Sequence, residues 1–110
     1  MISDLAKQIL RNGLDDWVPL GAVAGLVRKS GLSSDQAIRA ATAALVKELT
    51  SEGLAVLGRV TPHGFVLISE PAAIAIDRIV SASSPDAGDA WHFDAWLSNT
   101  EKGDALIKAT

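Results

Sequence analysis

The side chains in this 110-residue chain best suited to acid–base or metal chemistry are His63, His92 and the carboxylate pairs Asp15-Asp16 and Asp86 with Asp89. Histidine exchanges protons near neutral pH and is a common metal ligand, but a zinc-type site needs three or four converging ligands. The chain has no cysteine, and neither histidine has a second one at ligand spacing. Neighbouring acids in polar stretches act more often as turn and cap residues than as acid–base pairs. No serine sits in a Gly-x-Ser-x-Gly elbow. Gly21 and Gly25 fall inside a helical stretch and read as a small-residue helix contact, not as a phosphate loop. The expectation is therefore a protein that is not an enzyme, with no catalytic residue, no metal and no cofactor.

Binding chemistry is better represented. The run from Ser33 to Gly53 has Ile38, Ala41, Leu45 and Leu49 at helical spacing. Turning those inward puts Gln36, Arg39, Ala40, Ala43, Lys47 and Thr50 outward. Gln36 and Arg39 are the types that read adenine and guanine in a major groove. Lys47, with Arg28 and Lys29 upstream, can meet phosphates; Arg28 and Lys29 equally suit the negative end of the helix they close. Ala40 and Ala43 would allow close approach. Arg59 and His63 are further candidates on a hairpin.

The charge balance weighs against strong phosphate binding. The net charge is −3, with seven Lys/Arg against six Asp/Glu in residues 1–69 and three against seven in residues 70–110. A near-neutral first part is thus followed by an acidic tail.

These side chains need elements to position them. A first helix is predicted over Ser3–Asn12, with Ser3 capping and Gly13 ending it. Leu14–Val18 is a connector, in which Trp17-Val18 can form a short strand pairing with the hairpin. A second helix starts near Pro19, carries Leu20, Val23, Ala24 and Val27 inward, and stops at Gly31. The third helix opens with Ser33 and Gln36 at capping-box spacing and ends at Gly53, so the link from Gly31 to Ser33 is very short and the two helices cross sharply. Leu54–Val60 and Phe65–Ser69 form a hairpin around the turn Thr61-Pro62-His63-Gly64. Pro71 opens a fourth helix to about residue 82, with Ala72, Ala73, Ile76, Ile79 and Val80 on one face and Ile74 opposite. Ser81–Asp89 reads as a linker. In the tail, Phe93, Trp96 and Leu97 share a helical face, Trp91 points the other way, and Thr100 caps a last short helix.

The segment AALVKELTSEGLAVLGRVTPHGFVLI resembles the recognition helix and wing of bacterial winged helix-turn-helix regulators such as the GntR and MarR kinds. Ala44, Leu45, Leu49, Glu52, Gly53, Leu54 and Gly64 occupy the positions of that pattern, and the likeness covers about residues 14–69. It implies a mainly α fold with a small β-hairpin (α+β) and a winged domain, taken over residues 1–82; the tail matches no family, and residues 83–110 are expected to form a linker and helical tail packing on that domain or on a partner. It also implies a transcriptional regulator that reads double-stranded DNA with the third helix, and the Ala- and Gly-rich composition suggests a bacterial or phage source. The alternative is a winged-helix protein-interaction module that binds no DNA.

A homodimer is expected, with Ile74, Trp91 and Trp96 as interface residues, and the tail can also hold a protein partner. The apolar runs are too short for a membrane span. The N-terminus has no signal-peptide pattern, and a cytoplasmic location is expected.

Overall fold

The computed structural model describes residues 2–82 and 90–110. Among these the chain forms α1 (Asp4–Asn12), β1 (Val18–Pro19), α2 (Leu20–Lys29), α3 (Asp35–Ser51), β2 (Ala55–Thr61), β3 (Gly64–Leu67), α4 (Ala72–Ala82), a 3₁₀ turn (Ala90–Phe93), β4 (Trp96–Asn99) and α5 (Glu101–Lys108). The class is α+β, with the helices gathered on one face of a single antiparallel sheet. Most of the expected linker, including Asp86 and Asp89, lies outside the described residues.

Hydroxyl caps set the starts of α1, α3 and α5. The Ser3 hydroxyl accepts the Ala6 N–H at 3.2 Å and donates to the Glu48 carboxylate at 2.9 Å, so one residue caps α1 and ties it to α3. At α3 the cap is Ser34, whose Oγ accepts the Ala37 N–H at 3.1 Å. This corrects the expected Ser33–Gln36 capping box. The helix begins one residue later, its third position is Ala37, and alanine has no side-chain acceptor with which to reciprocate. The link from α2 is correspondingly longer, running from Ser30 to Ser34 through Gly31 at φ +118°. At α5, the Thr100 hydroxyl accepts the Gly103 N–H at 3.1 Å and donates to the Gly53 carbonyl at 2.6 Å.

The sheet order is β1-β4-β2-β3. The β2–β3 hairpin closes on the pair Thr61 and Gly64, with Gly64 at φ +109° supplying the turn that other residues resist. The other half of the sheet departs from the expectation. β1 pairs with β4, through Val18 opposite Leu97 and Pro19 opposite Trp96, and not with the hairpin. β4 pairs along β2 from Ala55 opposite Asn99 to Gly58 opposite Trp96. Residues 96–99 are therefore strand and not helix. Trp96 and Leu97 lie on opposite faces of the sheet, since successive strand side chains alternate. The free ladder of β2 supplied backbone partners that a short tail helix could not match.

The core is built from Ile9, Leu10, Leu20, Val23, Val27, Leu49, Leu57, Ile76 and Leu97. In α4 the inward residues are Ala75, Ile76, Ile79 and Val80, while Ala73 is exposed. The face is thus rotated slightly from the expected one. α3 is buried on two sides, by the sheet and α2 on one and by α4 on the other, so Thr42, Ala43 and Val46 are buried along with Ile38, Leu45 and Leu49. Among the described residues no helix is long and apolar enough to cross a membrane.

Candidate interaction surface

The residues expected to meet DNA do not converge. Gln36 and Ala40 are exposed on α3, as expected. Arg39 and Ala43 are corrected: they are only 8% and 6% exposed, because α4 lies along the stripe that Arg39, Ala43 and Lys47 form at four-residue spacing. Arg39 binds Asp35 through Nε at 2.7 Å, donates from Nη1 to the Val80 carbonyl at the end of α4, and sits 5.5 Å from the centroid of the Trp91 ring. Lys47 pairs with Asp77 of α4 at 2.8 Å. Arg28 and Lys29 occupy the last turn of α2, where they complement its carbonyl end. His63 is exposed at the hairpin tip. Arg59 is exposed on the helix side of β2, in a concavity it shares with Thr61, Ser69, Glu70 and Arg78.

Trp91 is also corrected. It is 1% exposed and lies inside the molecule, so it presents no free surface. Its ring is covered by Arg39 and meets His92 edge-on, with centroids 4.4 Å apart. His92 in turn packs against Gly21, where an added Cβ would lie 2.9 Å from the His92 Cβ. The buried cluster holds the 3₁₀ turn against α2 and α3. Among the described residues no group of three or more His, Asp or Glu side chains is placed to hold a metal ion.

The surface with binding character is the outer face of the sheet. Alternation directs Leu57, Leu97 and Val18 into the core and Val56, Gly58, Val60, Phe65, Leu67 and Trp96 outward. Gly58 is the flat point of that face. A Cβ there would meet the Phe65 ring at 2.5 Å, so its absence lets Phe65 lie down across the strand. Phe65 then meets Trp17, which reaches over from the β1 side, with centroids 5.8 Å apart. Trp96, directly opposite Gly58, meets the Phe93 ring with centroids 6.3 Å apart. Four of the five aromatic residues thus line one surface, and Phe93 and Leu67 are 68% and 61% exposed. Ile74, at 59%, stands apart on α4.

Sequence reasoning missed this face except for Trp96. A signal was available, because Val56, Val60, Phe65 and Leu67 are apolar as well as the alternating Ala55, Leu57 and Val66, and only one set can face a core. Comparison of the chain with family models, curated proteins and solved structures found no match.

Proposed function

We propose that the chain is a protein-interaction module on a winged-helix-like scaffold, engaging another protein through the outer face of its sheet and not reading duplex DNA. One observation carries this reading: the α3 stripe suited to a groove is engaged by α4, while four aromatic side chains are gathered on the outer sheet face, Trp17 and Phe93 exposed and Phe65 and Trp96 half-buried. Exposed contiguous apolar patches rimmed by polar groups characterise interaction sites on soluble proteins, and aromatic residues supply much of the energy at such sites. The negative net charge points the same way.

Two measurements test the proposal. Duplex DNA titrated at two salt concentrations should give no binding beyond weak association. A photo-crosslinking residue at position 93 should capture a protein partner in cells, and the same residue at position 36 should not. Tight, steeply salt-dependent duplex binding, or crosslinks to DNA from position 36, would overturn the reading.

A further inference from the structure

The aromatic face ends at an open strand. Among the described residues β3 is the sheet edge, paired only with β2. The Ile68 N–H donates to the Leu57 carbonyl at 3.1 Å, which fixes the phase of the ladder. In an antiparallel pair, hydrogen-bonded and non-hydrogen-bonded positions alternate. Val66 therefore bonds to β2, while the N–H and C=O of Phe65 and Leu67 point to the open side. Edges of this kind are usually blunted by charge, proline or a bulge, and Gly64-Phe65-Val66-Leu67 has none of these.

The two faces of that edge differ in chemistry. On the outer face are Phe65, Leu67 and Val60, all apolar. On the inner face, Val66 stands beside Arg59, and behind them lies a concavity of about 290 Å³ lined also by Thr61, Ser69 and the Arg78–Glu70 pair. Among the described residues Arg59 meets no carboxylate, whereas Arg78 does. The concavity is thus net positive in a protein that is net negative.

We infer that β3 accepts an extended segment of another protein as an added strand, and that this segment alternates apolar and acidic side chains. This rests on the proposed role as an interaction module and names the partner's chemistry. A strand beside β3 takes its main-chain bonds from Phe65 and Leu67. Its apolar residues fall on the outer face and extend the aromatic surface. Its residue opposite Val66 falls on the inner face, two strand spacings, about 9.6 Å, from Arg59. That gap is closed by an Arg and a Glu side chain reaching toward each other. A second copy of the chain fits less well, because its own β3 brings Val66 to that position and leaves Arg59 without a carboxylate.

The test uses the full chain with isotope-labelled backbone and a synthetic peptide of alternating valine and glutamate. The peptide should shift the Phe65 and Leu67 amides and slow their hydrogen exchange. A valine–lysine peptide should bind at least about tenfold more weakly, since reversed charge removes the complementarity. R59Q should weaken the glutamate peptide by about fivefold or more. L67P should abolish binding while keeping the fold, because the lost N–H faces the open edge and proline is tolerated there; unchanged circular dichroism checks this, and R59Q stands as the independent variant. Equal binding of the two peptides, no slowing at Phe65 and Leu67, or concentration-dependent β3–β3 pairing of the chain itself would each overturn the inference. Crosslinking from position 93 alongside any of those results would leave the interaction-module reading standing.

Discussion

Replacing Arg39 by alanine separates a buried structural arginine from a groove-reading one. As a solvent-facing contact residue, Arg39 would be removable with a stability change within about ±0.5 kcal/mol. The structure gives it three engagements instead. Its bond to the Val80 carbonyl is a charge-assisted hydrogen bond at a helix end, a type that contributes about 1.5–3 kcal/mol. The cation–π contact with Trp91, 5.5 Å from the ring centroid, adds about 1 kcal/mol in a largely desolvated place. The ion pair with Asp35, whose side chain is 46% exposed, adds only about 0.3–0.5 kcal/mol. Contacts sharing one side chain do not sum fully, so Arg39→Ala should destabilise the chain by about 2–3 kcal/mol. With each kcal/mol worth about 3–5 °C at this length, Tm should fall by about 6–15 °C. Urea unfolding followed by Trp fluorescence and a thermal scan measure both quantities. Arg39→Lys keeps the charge but not the planar fork, so it should recover less than half of the loss. An Arg39→Ala protein unfolding within about 0.5 kcal/mol of wild type, the range of ordinary surface changes, would refute the assignment of α4 as the element covering α3.

Three further outcomes follow from the packing. Gly103→Ala should destabilise by about 1–2 kcal/mol in urea unfolding although alanine is the better helix former by about 1 kcal/mol; the added Cβ would lie 2.0 Å from the Leu54 carbonyl oxygen, a backbone atom. Ser34→Ala should cost about 1 kcal/mol by the same measurement and Ser33→Ala should be near neutral, because only Ser34 caps α3. A chain ending at Ser84 should lose cooperative thermal unfolding, since truncation there removes β4 from between β1 and β2 together with the buried Trp91; a folded, cooperative fragment would show that β4 is dispensable.

Local chemistry in the sequence determined the elements that depend on near neighbours. Ser3 and Thr100 were legible as caps because a hydroxyl reaches an N–H three residues on. The hairpin was legible because Pro62 and Gly64 meet backbone demands few other residues meet. Leu49, Ile76 and Val23 were legible as core from periodicity. The tertiary structure decided what covers each face. Periodicity sorts side chains onto faces but does not say what will pack there, so the Arg39–Ala43–Lys47 stripe reads as exposed until α4 is placed on it. The strand at Trp96–Asn99 was not legible because four residues carry too little pattern, and its conformation is set by the free ladders of β1 and β2, distant in sequence. The outer sheet face was half legible: the hairpin carries apolar residues in both alternating sets, but only the sheet order brings Trp17 and Phe93 to the same surface as Phe65 and Trp96.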